Sequence, residues 1–292
     1  MKVNLNSKIT LNNGVEIPVI GFGVFRIPDG VEVEGAVKTA LDAGYRLIDT
    51  AMIYKNEEGT GKAIRESGIA REEIFVTTKL WNTDQGYDSA LSAIDASLAR
   101  LGMSYVDLYL VHWPSASEEM LPDGTTFVSL DKRKDTWRAM EEILRSGKAR
   151  AIGVSNYMQN HLEEMSAYAT VMPAVNQIEL HPYLYKRDLL EYCKEHNIVV
   201  EAHSPLAPVA DVKSTGYDAI DTIATKYGKS SSQVLIRWSL QHGLIPLPKS
   251  IRPERIIENI EVFDFEIDAT DMDVLDSMNI DLHVRRDPRS LQ

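Results

Sequence analysis

Phe75-Val76-Thr77-Thr78-Lys79 is a short apolar run closing on a lysine. Tyr87, Ala90, Leu91, Ile94, Leu98 and Leu101 follow at helical spacing, and Val106–His112 is a second apolar run. Apolar residues three and four apart mark one helix face, while short runs rich in valine, isoleucine and leucine mark strands covered on both sides. The stretch therefore predicts strand, helix, strand, the unit of a parallel sheet. The same alternation extends outward in both directions. Further strands are expected at Val19–Gly21, Arg46–Asp49, Ala149–Ser155, Val175–Ile178, Val199–His203 and Ile245–Lys249. Leu162, Met165 and Ala169 share a helix face, and Ser230 with Gln233 forms a capping box for a helix through Trp238. Ahead of all this, Ile9-Thr10-Leu11 and Val15-Glu16-Ile17 flank Asn12-Asn13-Gly14, which predicts a hairpin.

Eight strands separated by helices predict an α/β fold, a (β/α)8 TIM barrel with an N-terminal β-hairpin. An open doubly wound sheet is the rival. No linker, repeat or low-complexity segment interrupts the chain, so residues 1–292 are expected to form a single domain. The 292 residues, 44% hydrophobic and 25% charged, suit an ordinary globular protein of that size. One cysteine, Cys193, excludes a disulfide within the chain. Its setting, Leu189-Leu190-Glu191-Tyr192-Cys193, predicts a small buried residue in a helix. No signal-like N-terminus and no membrane-length apolar run is present, so a cytoplasmic protein with no membrane association is expected. A net charge of −12 disfavours nucleic acid as a partner. The histidines form no His-Glu-x-x-His run, and no metal is expected.

In a barrel, chemistry collects where strands end at the C-terminal face. The polar residues closing the runs are Asp49, Lys79, His112, Ser155-Asn156, Gln177, His203 and Lys249-Ser250. Asp49, Tyr54, Lys79 and His112 form a chemically coherent set. A tyrosine, with an ordinary pKa of about 10, carries a proton to donate at neutral pH. A neighbouring lysine stabilises the phenolate and lowers that pKa. A carboxylate keeps the lysine charged and oriented, and a histidine polarises a carbonyl oxygen. Each residue also has an ordinary structural role open to it.

Gly44-Tyr45-Arg46-Leu47-Ile48-Asp49-Thr50-Ala51, with Tyr54 and Asn56-Glu57, resembles the first signature of the aldo-keto reductases. Thr78-Lys79-Leu80-Trp81 and Leu110-Val111-His112-Trp113-Pro114 are similar to that family's lysine and histidine segments. The resemblance runs from about Ile9 to about Met278, with Thr60 a small departure inside a presumed helix. It implies an NADPH-dependent carbonyl reductase whose catalytic residues are Asp49, Tyr54, Lys79 and His112. The middle signature, Gly147 to Tyr157, implies that Ser155, Asn156 and Gln177 hold the nicotinamide carboxamide of NADPH/NADP+. The third implies Lys249, Ser250 and Arg255 on the 2′-phosphate, with Glu258 and Asn259 near the adenine; Pro253 suits the first turn of the helix there. Gly21-Phe22-Gly23 lacks the third glycine of a Rossmann turn, which disfavours that alternative.

His203-Ser204-Pro205-Leu206 matches the segment along the pyrophosphate, so His203, Ser204 and Leu206 join the cofactor set. The family usually carries an aromatic at the position of His203, stacked on the nicotinamide. The departure implies that this packing weakens as His203 protonates. Val24, Phe25, Ile53, Trp81, His112 and Trp113 are the expected substrate contacts. Arg285 and Arg286 in the short tail offer charge for a carboxylated substrate. The short tail resembles microbial members that reduce small aldehydes, α-dicarbonyls and keto-sugar acids, and a monomer is the family expectation. The loop 115–131 is polar and fairly long, and His181-Pro182 is given no catalytic part. An NADPH-binding sensor, and a barrel lyase or isomerase with only a phosphate site, remain as rivals.

Overall fold

The computed structural model describes residues 3–115, 130–206 and 217–290. The N-terminal hairpin pairs β1 (Lys8–Thr10) with β2 (Glu16–Pro18), placing Ile9 opposite Ile17. Gly14 makes the turn at a φ of 85°, a left-handed conformation that glycine adopts without strain. Eight parallel strands follow: β3 (Phe22–Gly23), β4 (Leu47–Asp49), β5 (Phe75–Leu80), β6 (Val106–Val111), β7 (Ala149–Ser155), β8 (Val175–Glu179), β9 (Val199–His203) and β10 (Ile245–Leu247). Each pairs with its sequence neighbour. The helices wrapped outside them are α1 (Val31–Asp42), α2 (Glu57–Glu66), α3 (Tyr87–Leu101), α4 (Leu130–Arg145), α5 (Gln159–Ser166), α6 (Arg187–Glu195), α7 (Tyr217–Tyr227), α8 (Ser231–Gln241), α9 (Pro253–Ile260) and α10 (Ala269–Ser277). The expected capping box is formed, with Ser230 and Gln233 exchanging hydrogen bonds at the start of α8. Cys193 is buried in α6, as its setting predicts.

The seam between β10 and β3 closes the barrel through two hydrogen bonds. Gly21 N donates to Pro246 O at 3.1 Å and Gly23 N to Pro248 O at 3.1 Å. The prolines have no N–H to return, so the seam is thinner than a full ladder. Gly21 is required there, because a Cβ on it would lie 2.6 Å from both Leu247 and Leu47. The first barrel strand is also displaced from its expected place. Val19 and Ile20 are buried but lie in the crossing from hairpin to barrel, so their apolar character reflects burial rather than strand pairing.

Alternate residues of a strand face the same side. Leu47, Phe75, Leu108, Leu110, Ala151, Val175, Ile245 and Leu247 therefore fill the barrel interior, and Leu11 and Ile17 of the hairpin join them as its floor. The same parity carries upward to Asp49, Lys79, His112, Ser155, Gln177, His203 and Lys249. A second, larger cluster packs the outer strand faces against the helices.

Tyr54 ends a 3-10 turn, Met52–Tyr54, that follows β4. Buried Asn56 holds this turn in place. Its Nδ2 donates to Val24 O and Ile27 O at 2.9 Å each, and its Oδ1 accepts from Thr50 Oγ1 at 2.9 Å. The amide thus ties the segment after β3 to the segment after β4. Asn56→Ala strands several buried polar groups, and the expected loss is about 3 kcal/mol of folding stability. Urea denaturation measures it; a loss below about 1 kcal/mol would show the tie to be dispensable.

Candidate active site

The mouth of the barrel holds a cavity of about 820 Å³. At its base lies Lys79, fully buried on β5. Its Nζ donates to Asp49 Oδ1 and Oδ2 at 2.7 Å each, to Thr50 O at 3.0 Å and to Tyr54 Oη at 3.3 Å. Burial opposes the lysine's charge, but Asp49 and Tyr54 outweigh it and hold the pKa above its ordinary value. Lys79 is therefore cationic across the neutral range.

For Tyr54 the balance differs from the sequence expectation. Burial raises its pKa, Lys79 opposes that rise, and Asp49 adds to it. The net direction is upward. The lysine pulls the phenol in the expected direction but is outweighed by desolvation, so Tyr54 holds its proton firmly.

His112 follows β6 and packs edge-on to Tyr54 and Trp81, with ring centroids 5.7 and 5.1 Å away. Burial, then Lys79, then His203 keep its pKa well below the ordinary histidine value. The ring is neutral. Its Nδ1 is buried with no hydrogen-bond partner among the described residues, which leaves Nε2 as the nitrogen to meet a ligand.

Asn156 stands in the left-handed region at φ 63°, just past β7. Its Nδ2 donates to His112 O at 2.9 Å and to Ser155 Oγ at 3.1 Å. Its Oδ1 faces His203 Nε2 at 3.1 Å. Burial pushes the half-buried His203 down to about 4, so this ring is also neutral near physiological pH. That moves the protonation expected of His203 far below neutrality. Gln177 Nε2 donates to Asp49 Oδ2 at 2.8 Å and to Glu201 Oε2 at 2.8 Å.

Asp49, Tyr54, His112, Phe25, Ile53, Trp81, Trp113, Asn156, Gln177, His203, Ser204, Leu206 and Lys249 all line the cavity. Several other expected residues do not. Val24 is fully buried beneath the rim, its carbonyl held by Asn56. Ser155 is buried, and its hydroxyl donates to Gln177 O at 2.8 Å and accepts from Asn156. Ser250 accepts from Arg252 N at 3.1 Å just before α9, which carries exposed Arg255, half-buried Glu258 and buried Asn259. This group extends from the Lys249 end of the cavity. Much of the stretch 115–131 lies outside the described residues.

Three residues were not singled out from the sequence. Arg26 lines the cavity and stacks over Phe25 at 5.2 Å, and Arg285 stacks on the same ring at 5.0 Å. Glu179 takes the backbone N–H groups of Val284 and Arg285 at 2.8 and 3.0 Å, pinning the tail over the cavity. Burial opposes its charge, but His181, His203 and the Val284 N–H outweigh that and lower its pKa. His181 thus supports the tail from below, consistent with a structural part. Glu201 shares Gln177 with Asp49. The inward parity of Val199, Glu201 and His203 was the available signal for it.

The profile of the Aldo/keto reductase family matches residues 19–280. The chain is 48% identical over 291 residues to a glyoxal reductase of Bacillus subtilis (strain 168), covering 100% of this chain and 99% of that protein. A deep-sea metagenome aldo-keto reductase, MGS-M4, superposes with a TM-score of 0.87 at 44% identity, over 95% of this chain and 97% of that one. An aldo-keto reductase of Bombyx mori, solved in complex with NADP, superposes with a TM-score of 0.88 at 35% identity, over 97% and 96%. By its sequence, its barrel and the buried lysine at its mouth, the chain belongs to the aldo-keto reductase family and is an oxidoreductase acting on carbonyl groups.

Proposed function

We propose that this cavity binds NADPH beside a small aldehyde, α-dicarbonyl or ketone, and that Tyr54 delivers the proton as the carbonyl is reduced. The observation that carries the reading is the buried Lys79 ammonium, shared between the Asp49 carboxylate and the Tyr54 hydroxyl. The residues present fit the cofactor. Arg26, Lys249, Arg285 and Arg286 line the cavity of a chain whose net charge is −12. Burial and then Arg26 press against the charge of Lys249, with Glu32 favouring it, so an anionic group would relieve crowded cations. Asn156 and Gln177 supply amides suited to a carboxamide. Lys249, Ser250 and Arg255 would hold the 2′-phosphate near the N-terminus of α9, with Glu258 and Asn259 toward the adenine.

Bound NADPH supplies the hydride. Tyr54 keeps its proton until negative charge develops on the carbonyl oxygen, then transfers it. The fixed charge of Lys79 stabilises the resulting phenolate, and Asp49 keeps that charge in place. Neutral His112 donates from Nε2 to the same oxygen without setting a second cation beside Lys79. Tyr54→Phe is expected to bind NADPH as the native protein does and to lose roughly 10²–10⁴-fold in turnover. Stopped-flow NADPH oxidation beside a binding titration checks both halves; substantial turnover by the variant would remove Tyr54 as the acid.

For the substrate we favour small α-dicarbonyls and keto acids. One relative is named a glyoxal reductase. Arg285, held by Glu179 above Phe25, lies close enough to Tyr54 to influence its titration, so a carboxylate on the substrate would meet it. The deciding experiment follows NADPH and NADH consumption with methylglyoxal, an aromatic aldehyde, an α-keto ester and a keto-sugar acid. Turnover with NADPH preferred is expected, the acid saturating at lower concentration than the ester. Tight NADPH binding without turnover would favour a sensor instead.

Lys249→Ala combined with Arg255→Ala should weaken NADPH by about tenfold to a hundredfold while leaving NADH nearly unchanged, the loss of charge-assisted hydrogen bonds to one phosphate. Equal weakening of both nucleotides, in equilibrium titrations, would place the 2′-phosphate elsewhere.

The pH dependence follows from His203. Its folded pKa is depressed to about 4 from 6.5. Below 6.5 the unfolded chain takes a proton that the folded chain refuses, so the residue's contribution to stability falls as pH drops toward 4. The folded ring stays neutral over that window. NADPH affinity of the native protein and of His203→Tyr should therefore run parallel from pH 8 to about 5 and separate only nearer pH 4. Separation between pH 6 and 7 would contradict this.

A further inference from the structure

Glu201 lies on β9 in register with Gln177 on β8, one inward position below His203. It is completely buried. Its Oε2 accepts from Gln177 Nε2, the nitrogen that also donates to Asp49 Oδ2, both at 2.8 Å. Its Oε1 has no hydrogen-bond partner among the described residues. A buried carboxyl group with one partner is expensive, and an apolar side chain of similar shape would fill the strand at less cost. Packing therefore gives no account of it.

The groups facing Glu201 are Asp49 from β4, Lys79 from β5 and Gln177 from β8. On the β10 side its register partner is the apolar Ile245. Burial, with Asp49 acting in the same direction, holds the Glu201 carboxyl well above the usual carboxylate range, against Gln177 and Lys79. A protonated Glu201 leaves one net charge pair, Asp49 and Lys79, in the barrel centre.

A primary amide has two N–H groups and one carbonyl oxygen. Both N–H groups of Gln177 are engaged by the two carboxyls. The Gln177 oxygen cannot also face them, and Gln177 lines the cavity. One carboxyl would fix one N–H and leave the amide plane free to rotate. Two fix the plane.

We propose that Glu201 is a positioning residue: together with Asp49 it locks the Gln177 amide so that its carbonyl oxygen faces the cavity as an acceptor for the nicotinamide carboxamide. The inference rests on the cavity being the NADPH site. It extends the site one layer below the residues that touch ligand and assigns a task to a carboxyl that the reduction itself does not use.

The test compares equilibrium binding of NADPH and of 2′-phospho-ADP-ribose, which lacks the nicotinamide, to the native protein, Glu201→Met and Glu201→Gln. Methionine fills the volume without an acceptor, and glutamine keeps an acceptor oxygen. Glu201→Met should weaken NADPH about tenfold, the worth of one well-placed hydrogen bond, and change the fragment by less than about twofold. Glu201→Gln should recover most of the NADPH affinity. Native-like NADPH binding by Glu201→Met overturns the proposal, as does equal weakening of both ligands or a failure of Glu201→Gln to recover. If Glu201→Met does not fold, Glu201→Thr, whose hydroxyl is too short to reach Gln177, is judged by the same outcomes. A native protein that binds the fragment as tightly as NADPH overturns the nicotinamide contact and this role with it. One that binds neither overturns the cofactor reading first.

Discussion

A lysine ammonium with no exposed surface is the most demanding group in this barrel. Taking such a charge out of water costs several kcal/mol unless a partner is fixed beside it. Asp49 meets Lys79 with both oxygens, and the Thr50 carbonyl shares the three donors of the ammonium with them. The Tyr54 hydroxyl, at 3.3 Å, is the longest of the four contacts. The rest of the mouth is arranged around that charge. It helps keep His112 neutral, opposes the rise in the Tyr54 pKa, and makes a second carboxylate at Glu201 less unfavourable. One ion pair thus shapes the protonation state of several neighbours, as is common where a fold concentrates its chemistry.

Strand parity is what assembles these groups from distant sequence. Asp49 continues the inward row that begins at Leu47, Lys79 the row from Phe75, His112 the row from Leu108, and Glu201 and His203 the row from Val199. A one-residue slip of any strand would turn its polar end into the helix layer and its apolar base out of the core. The apolar floor thereby fixes the register that the polar mouth needs. Leu11 and Ile17 of the hairpin complete this floor from below. Folding energetics and site geometry share the same two-residue period.

Much of this was legible in the sequence because it is local. The strand runs, the helix faces, the capping box at Ser230 and the polar strand ends are each written within a few residues. What was not legible depended on contacts between distant segments. Val19 and Ile20 are apolar because they are buried in a crossing, and the barrel strand starts at Phe22 instead. Val24 belongs to the same first-strand region, but Asn56 draws its carbonyl beneath the rim. That the Ser155 hydroxyl donates to the backbone of the next strand is a contact no stretch of sequence displays. The Tyr54 pKa was misjudged in its balance, since the lysine's pull is visible in the sequence and the depth of burial is not. Glu179 and Glu201 passed unnoticed because a glutamate in an apolar run has no meaning until its partners, at Val284, Arg285, Gln177 and Asp49, are placed around it.

The charge distribution gives the site its direction. The chain as a whole is acidic, yet Arg26, Lys249, Arg285 and Arg286 converge on one cavity. A field of this kind draws anions to the mouth and repels them elsewhere. Two of the cations stack on Phe25, which keeps them near the mouth without neutralising them. Arg285 is held there by backbone bonds to Glu179, a carboxylate that also contacts His181. Removing the Glu179 side chain would therefore release the tail and disperse the positive charge at that end of the mouth, while Lys249 at the other end would remain. The two ends of the cationic mouth are built independently, one on the last strand and the helix after it, the other on a carboxyl group that reaches from the barrel to the tail.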